Sequence, residues 1–392
     1  MRPQSSSEQC ELLIVGASFA GLVAARTAAM RGLSVVVLEK KPEVGSRVAT
    51  TGILVKEAAE DLDIPHDLTR RVQGVRLYAP NLKFIDLFAP GYYFLTTDTG
   101  NVLRWLASEA ERAGARIVYS CRFEGVHRVG NGFRVPGLDL VARYILGADG
   151  GHSAVARHFG LGRNTHFLAG AEREYAGLEG CDPRFLHCFI DRQLAPGYLA
   201  WVAPGPKVTQ VGLAVTAGKK VSLDGFVAAT GKLFGYSQGS IVERRAGRIP
   251  AGGLVRPWAA PGVMLIGDAA GQVSPATGGG IQLAFRFGRR AAHAIADHLQ
   301  CFGPAPDAVL ERKLPDFVLK KFMRSALDAG PPNVLVNALI GTPLFRALAS
   351  QIYFHKRGSG HESVAGFRAR LDALESERLE RSEEHTSELQ SQ

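Results

Sequence analysis

Apolar and polar positions along the first forty residues predict a strand, a helix and a second strand. The runs at 11–15 and 34–38 are almost wholly apolar, which is typical of strands buried on both faces of a parallel sheet. The segment between them, 20–30, is rich in alanine and favours a helix that Gly32 ends. With the glycine-rich turn after the first strand, this is one βαβ unit.

The pattern changes in the middle of the chain. From 165 to 254, short strands with one predicted helix at 223–234 indicate a predominantly antiparallel sheet. A buried strand of the parallel type returns at 262–266, and a long helix is predicted at 279–299. Because strands of the parallel type flank the sheet-rich segment, we expect that segment to be inserted into the first domain.

These patterns divide the chain into domains. We predict a nucleotide-binding domain formed by 10–164 and 255–300, a substrate domain at 165–254 and a helical region at 301–380. The strands predicted at 72–98 are compatible with either of the first two. The tail at 381–392 reads RSEEHTSELQSQ, which resembles a translated sequencing-library adapter, and we expect it to lie outside the natural protein.

Composition and charge are those of a globular protein with a basic excess. Lys and Arg number 46 against 37 Asp and Glu, a net charge of +9 that suits phosphorylated cofactors or anionic lipid surfaces. No basic block interleaved with aromatic residues is present, so nucleic acid is not an expected partner. The five cysteines and the histidines lack disulfide-framework or metal-ligand spacing. No apolar run of about 18 residues occurs, so we expect a soluble, cytoplasmic chain without a membrane span or metal site.

The turn after the first strand carries the first chemical signal. Gly16, Ser18 and Gly21 occupy the positions of a G-x-G-x-x-G turn, with serine in place of the middle glycine. Such a turn lets the backbone approach a pyrophosphate at a helix N-terminus. Glu39 ends the second strand, at the spacing where a carboxylate accepts hydrogen bonds from adenosine ribose hydroxyls. A plain strand–helix turn with a solvent-facing Glu39 is the alternative.

Two further motifs follow predicted strands: 147–153 reads GADGGHS and 267–271 reads GDAAG. In order and spacing, the three motifs together resemble those of FAD-dependent oxidoreductases of the para-hydroxybenzoate hydroxylase fold. The resemblance implies an α/β fold, with a Rossmann-like FAD-binding domain, an inserted antiparallel β-sheet substrate domain and a helical C-terminal region. By this resemblance, the turn that contains Gly16, Ser18 and Gly21 would hold the ADP half of FAD together with the carboxylate of Glu39.

The resemblance also implies roles for later residues. Asp149 and Gly150 would support the pyrophosphate and a transient nicotinamide site, although a turn that caps the helix after it would also explain Asp149. Asp268 would bind the ribityl hydroxyls, and Arg47 would either contact the pyrophosphate or lie on the surface. No second dinucleotide turn occurs, so NAD(P)H or another external electron donor would not be stably bound.

A fourth segment, 275–281, reads PATGGGI and resembles the P-x-T-G-x-G-I stretch of the geranylgeranyl reductase family. There, Gly278, Gly279 and Gly280 would present backbone N–H groups to the flavin at a positive helix end. The implied function is an FAD-dependent reduction of isoprenoid carbon–carbon double bonds, with an apolar small-molecule substrate. An NAD(P)H-dependent aromatic monooxygenase of the same fold and a non-catalytic flavin-binding protein are the alternatives.

The segment 197–204, GYLAWVAP, resembles the Y-x-W-x-F-P substrate wall of that family, with Trp201 in register. Leu199 stands where both this motif and the W-x-W-x-I-P motif of flavin halogenases require an aromatic residue, which argues against halogenation. Trp201 is therefore the substrate-wall candidate, with a core position as the alternative. No residue beyond the flavin itself is predicted to be catalytic.

The segment 316–327 has helical amphipathic spacing. Phe317, Val318 and Phe322 would share an apolar face, and Lys320 and Arg324 would lie towards the other. This pattern predicts a helix at the inner surface of a membrane, or one packed on the flavin domain. The sequence leaves the oligomeric state open.

Overall fold

The computed structural model describes residues 8–354, apart from the Cys301 side chain. The tail at 381–392 and the end of the predicted helical region therefore lie outside the described residues. The strands are β1 (Glu8–Val15), β2 (Val35–Leu38), β3 (Ile53–Val55), β4 (Thr69–Val72), β5 (Gly74–Tyr78), β6 (Phe84–Phe88), β7 (Phe94–Thr97), β8 (Arg116–Val118), β9 (His127–Val129), β10 (Gly132–Val135), β11 (Leu140–Gly147), β12 (Phe167–Ala176), β13 (Phe185–Phe189), β14 (Ala200–Pro204), β15 (Thr209–Thr216), β16 (Ser240–Pro250), β17 (Ala259–Ala260) and β18 (Val263–Leu265). The helices are α1 (Phe19–Met30), α2 (Lys56–Ala59), α3 (Thr99–Arg112), α4 (Ala154–His158), α5 (Leu223–Thr230), α6 (Ile281–Cys301), α7 (Pro306–Glu311), α8 (Val318–Ala329), α9 (Asn333–Leu339) and α10 (Pro343–Phe354).

An eight-stranded sheet contains the βαβ unit predicted from the sequence. Its main order is β17-β18-β11-β1-β2-β8, and the pairs β18–β11, β11–β1, β1–β2 and β2–β8 are all parallel. The central strands are apolar because helices cover them: Leu12, Ile14 and Val37 are fully buried, and α1 packs against both α6 and α3. The predicted Rossmann-like architecture is confirmed. The strand β18, which follows the insert in the sequence, belongs to this sheet.

A seven-stranded sheet, β16-β12-β15-β14-β13-β5-β6, forms the second layer. All of its neighbouring pairs are antiparallel except β13–β5, so the inserted antiparallel sheet is also confirmed. The strands at 72–98 divide between two sheets: β5 and β6 join the seven-stranded sheet, whereas β7 pairs with β3 and β4 in a three-stranded sheet.

Within the helical C-terminal region, α7 packs against α6 of the first domain, whereas α9 and α10 pack on the strands of the second layer. Val336, Ile340, Ala349 and Phe354 of α9, α10 and their connection are buried in one cluster with residues of β5, β6 and β7. The helix α8 does not have the sides predicted from its sequence: Phe317, at its start, and Arg324 are both buried. The prediction was wrong for Arg324, which turns inward to donate a hydrogen bond to the carbonyl of Gly197, and for Val318 and Phe322, which are exposed although Phe317 is buried.

No single helix among residues 8–354 has the length and apolar composition needed to cross a membrane. The bent pair α9–α10 meets those two criteria only when both helices are taken together. Over the same residues, no group of His, Cys, Asp and Glu side chains is arranged to hold a metal ion. Cys10, Cys121, Cys181 and Cys188 are free thiols.

Candidate functional site

One large cavity, of about 1280 Å³, connects the parallel sheet with the second layer. Its wall includes the ends of β1, β2 and β11, the glycine-rich segment before α6, and residues of β12, β14 and β16. Side chains from α8, α9 and α10 complete the wall. The cavity therefore brings the sequence motifs of the first domain, the inserted sheet and the C-terminal helices to a single space.

The turn between β1 and α1 has the geometry that a phosphate site requires. Gly16 has φ +105°, and a Cβ there would lie 2.5 Å from the carbonyl oxygen of Ala148. A Cβ at Gly21 would lie 1.9 Å from the carbonyl oxygen of Gly16, so only glycine lets α1 start this close to the turn. Ser18 is the N-cap of α1, makes no capping hydrogen bond with its side chain, and lines the cavity. The positive helix end therefore faces the cavity without an acidic side chain in its first turn.

Glu39 is buried at the end of β2 and lines the same cavity. Its Oε2 accepts a hydrogen bond from the backbone N–H of Ala17 at 2.8 Å, and its Oε1 accepts one from the N–H of Lys41 at 2.9 Å. Two carboxylate oxygens offer about four acceptor positions, so two remain for hydroxyl donors. The backbone bonds fix the carboxylate beside the turn that holds Gly16.

The structure does not bring Arg47 to this wall. Its side chain is exposed and is not among the residues that line the cavity, and its backbone adopts φ +45°. The nearby cation on the wall is Lys41, whose Nζ donates to the carbonyl of Ser46 at 2.7 Å. Burial lowers the pKa of Lys41, as expected for a partly enclosed cation.

Asp149 combines the two roles that the sequence left open. Its Oδ2 accepts from the N–H groups of Ala154 at 2.6 Å and Val155 at 3.1 Å, which anchors the start of α4. Its Oδ1 is buried without a hydrogen-bond partner among the described residues, and the side chain belongs to the cavity wall. Gly150 also lines the cavity and has φ +83°, so the turn would strain with a side chain there.

The carboxylate of Asp268 faces the cavity and has no hydrogen-bond or ion-pair partner among residues 8–354. The side chain is exposed at the cavity, and desolvation by the surrounding protein raises its pKa to about 6. A Cβ at Gly280 would lie 3.5 Å from Oδ1, so the carboxylate sits beside the N-terminus of α6. An unpartnered acceptor in this position is available to hydroxyl or N–H donors of a ligand.

The glycine-rich segment before α6 is held in place by Tyr198. The phenol of Tyr198 donates a hydrogen bond to the carbonyl of Thr277, and a Cβ at Gly278 would lie 2.8 Å from the same phenol oxygen. Gly278 has φ +63°, whereas Gly279 and Gly280 do not need a positive φ. All three line the cavity, with no acidic residue in the first turn of α6.

Trp201 lies on the cavity wall and belongs to a buried polar network that the sequence did not reveal. Its Nε1 donates to Oε2 of Glu172 at 2.9 Å, and the hydroxyl of Thr51 donates to the same oxygen at 2.7 Å. Oε1 of Glu172 has no hydrogen-bond partner among the described residues, and Nη1 of Arg245 lies 3.7 Å from it. Burial raises the pKa of Glu172 even though both hydrogen bonds and Arg245 act to lower it.

The network continues away from the cavity. Nη2 of Arg245 contacts Oε1 of Glu174 at 2.6 Å and Oε2 of the half-exposed Glu243 at 2.7 Å. Burial also raises the pKa of Glu174. The alternation of Glu172 and Glu174 along β12, opposite Arg245 on β16, was the only sequence signal that could have indicated this cluster.

The residues present fit FAD. The glycine turn admits a pyrophosphate, the Glu39 carboxylate has free acceptor positions, and the unpartnered carboxylate of Asp268 needs hydroxyl donors such as those of a ribityl chain. Arg47 contributes nothing to this fit in the observed geometry. The roles of the individual site residues stay predictions.

Comparison with known proteins gives the same result. The chain matches the FAD binding domain family over residues 9–203. A digeranylgeranylglycerophospholipid reductase of Methanothrix thermoacetophila is 32% identical over 74% of this chain and 78% of its own length. Digeranylgeranylglycerophospholipid reductase 1 of Methanococcoides burtonii is 30% identical over 88% of this chain and 86% of that protein. A solved geranylgeranyl bacteriochlorophyll reductase-like protein from Thermoplasma acidophilum shares the fold, with a TM-score of 0.73, 23% identity, and coverage of 89% of this chain and 98% of that one.

Proposed function

The chain belongs to the geranylgeranyl reductase family of FAD-dependent oxidoreductases, and we propose that it saturates carbon–carbon double bonds in the isoprenoid chains of a lipid. The observation that carries this proposal is the cavity itself, in which the flavin-type motifs share one space with an apolar wall. A long hydrocarbon substrate needs such a wall, because each buried CH₂ group contributes about 0.8 kcal/mol.

Residues of the first domain hold the cofactor in this proposal. Gly16, Ser18 and Glu39 bind the ADP half, and Asp268 accepts hydrogen bonds from the ribityl hydroxyls. The N-terminus of α6, with Gly280 as its N-cap, favours negative charge on the bound cofactor. The chemistry that FAD supplies here, in its reduced form, is a hydride for one carbon of the double bond.

The second layer supplies the substrate wall. Leu77, Leu186 and Ile190 of the seven-stranded sheet region line the cavity, and so do Phe94 of β7 and Phe345 of α10. These side chains exclude water from the reacting double bond, which prevents loss of reducing equivalents to side reactions. Trp201 contributes its ring to this wall and its N–H to Glu172.

We assign the proton that completes saturation to the carboxyl group of Glu172. Its Oε2 already accepts two hydrogen bonds, from Thr51 and Trp201, so a proton on this carboxyl resides on Oε1. The raised pKa of Glu172 keeps that proton bound at a higher pH than an exposed glutamate would. In this proposal the carboxyl gives the proton to the second carbon of the double bond once substrate reaches Oε1, which is buried beside Arg245 in the described structure, and Arg245 stabilises the carboxylate that is left.

The electron donor is external in this proposal. The sequence has one dinucleotide turn, at Gly16–Gly21, so NAD(P)H or another reductant would reach the flavin transiently. Exchanging donors in a steady-state assay would identify it.

The test of the proposed function uses the FAD-loaded protein, a chemical reductant and a geranylgeranyl glycerophospholipid in detergent. We expect the lipid to gain two hydrogen atoms for each double bond that is lost, measured by mass spectrometry. A lipid that keeps its mass while the flavin stays fully reduced would refute the proposal.

A further inference from the structure

More than half of the large apolar side chains that are exposed in the described chain lie on its last three helices. Eight side chains there are between 40% and 81% exposed: Val318, Leu319, Phe322, Val334, Leu335, Leu339, Leu344 and Leu348. We call this surface the α8–α10 face. Single exposed apolar residues are ordinary on a protein surface, but eight on three consecutive helices indicate a contact surface.

The helix α8 has the reverse arrangement of an amphipathic helix at a water-exposed surface: a charged side chain is buried and apolar side chains are exposed. Arg324 is only 5% exposed, donates to the carbonyl of Gly197, and pairs with Asp328 at 3.1 Å, whereas Leu319 and Phe322 on the same helix are exposed to solvent. A helix in water buries its apolar stripe and exposes its charges. Its outer side is therefore suited to an apolar environment.

The charges of the face complement an anionic lipid surface. The segment 333–354, which contains α9 and α10, has no Asp or Glu and one cation, Arg346. On α8, Lys320 and Lys321 are cationic, and Asp328 is neutralised by Arg324. Lys320 lines the cavity at the border of the face. Basic side chains next to an apolar face are typical of proteins that lie on anionic membranes.

The face is continuous with the cavity. Leu335, Leu339 and Leu348 are partly exposed and at the same time belong to the cavity wall. A hydrocarbon chain could thus pass from an apolar exterior into the cavity without crossing a polar rim at these three residues. The two helices α9 and α10 are bent by 101° at their connection, so they do not form one straight helix.

We propose that the α8–α10 face docks the protein on an anionic lipid bilayer, with its exposed apolar side chains in the headgroup region and the cavity open to the bilayer. Docking itself is independent of the proposed function. Only the passage of substrate through this opening rests on it.

The test is co-sedimentation of the full-length FAD-loaded protein with vesicles of equal parts phosphatidylglycerol and phosphatidylcholine. Phe322→Asp and Leu344→Asp remove exposed apolar side chains and add negative charge at positions that make no core contacts. We expect each to lower the fraction bound at least tenfold. Met30→Asp is the matched control, because Met30 is 67% exposed at the end of α1, outside the face, and this variant should bind like the parent.

Two results would overturn the proposal. Equal binding of the parent and all three variants would place the contact elsewhere. A parent protein that does not bind the vesicles would also overturn it. If that parent is a dimer in sedimentation velocity and Phe322→Asp makes it a monomer, a second copy of the chain covers the face. If the parent is a monomer, another part of the chain covers it. Because FAD content reports the fold of each variant and no turnover is measured, failure here is separable from failure of the reductase assignment. If an aspartate variant loses its FAD, Leu344→Ser replaces it under the same criterion.

Discussion

Trp201 donates its indole N–H to Oε2 of Glu172 over 2.9 Å, at the wall of the cavity. The residue that the sequence indicates as a substrate wall therefore also controls the charge of a buried carboxyl. A hydrogen bond to the ionised form lowers a carboxyl pKa, and here it opposes the larger effect of burial. In the proposed mechanism, the pair links substrate contact to proton supply.

The first prediction concerns the pH profile of reduction. A proton donor is active while protonated, so activity is lost as pH rises through the pKa of Glu172. Trp201→Phe removes a donor to the carboxylate, raises that pKa further and moves the alkaline loss of activity to higher pH. Glu172→Gln should lower the rate of saturation about 10²- to 10⁴-fold and abolish the alkaline limb of the pH profile, in which activity falls as pH rises.

Thr51→Val is the companion variant, because the Thr51 hydroxyl donates to the same oxygen at 2.7 Å. It should move the limb in the same direction as Trp201→Phe. The infrared band of the protonated carboxyl reports the titration without turnover. A limb that stays in place in both variants would exclude Glu172 as the proton source.

The second prediction concerns flavin retention. Asp268→Ala removes a carboxylate that faces the cavity without a protein partner, and a charge-assisted hydrogen bond contributes about 1.5–3 kcal/mol. We expect the Kd for FAD to rise about 10- to 100-fold, measured by flavin fluorescence. Ser18→Gly is the comparison: it restores the usual turn residue, keeps the backbone N–H groups of the turn and removes no side-chain cap, so its effect on the Kd should be far smaller. Unchanged affinity in Asp268→Ala would disprove the ribityl assignment.

The third prediction is a pH dependence of FAD binding. Desolvation raises the pKa of Asp268 to about 6 in the protein without ligand. FAD hydroxyls favour the ionised carboxylate, so affinity is complete above that pKa and falls as pH is lowered from 7 to 5. Asp268→Asn cannot titrate and should lose this part of the dependence. If FAD affinity falls equally with pH in the parent and in Asp268→Asn, another group causes the pH dependence.

The fourth prediction separates two adjacent glycines. Gly278→Ala forces φ +63° on an alanine and sets its Cβ 2.8 Å from the Tyr198 phenol oxygen. We expect a loss of about 1–3 kcal/mol in unfolding free energy, measured by denaturant titration. At Gly279 the φ is ordinary and the nearest contact of a Cβ is 3.3 Å from Oγ1 of Thr277, so Gly279→Ala should cost less. Equal losses would mean that backbone strain does not govern this turn.

The sequence predicted those parts of the site whose residues are close together in the chain. Gly16, Gly21 and Glu39 are fixed by one βαβ unit, so spacing alone places them together. Glu172 meets Thr51 across 121 residues and two sheets, and no local pattern encodes that contact. The family resemblance left Arg47 either at the pyrophosphate or on the surface, and in the structure its side chain is exposed.

The element boundaries show the same limit. The prediction of a helix at 223–234 exceeds α5, which ends at Thr230 before Gly231. On α8, periodicity identified the apolar positions but could not tell which side faces the protein. That choice depends on Arg324 reaching the carbonyl of Gly197, a contact over 127 residues.

The most direct measurement of the central claim is an anaerobic single turnover. The flavin is reduced with dithionite, a geranylgeranyl lipid is added, and flavin oxidation is followed together with product mass. Saturation requires flavin oxidation without oxygen, in step with a product that has gained two hydrogens and no oxygen atom. Oxidation that begins only when oxygen is admitted, with an oxygen atom incorporated into an aromatic product, would contradict the account and identify a monooxygenase.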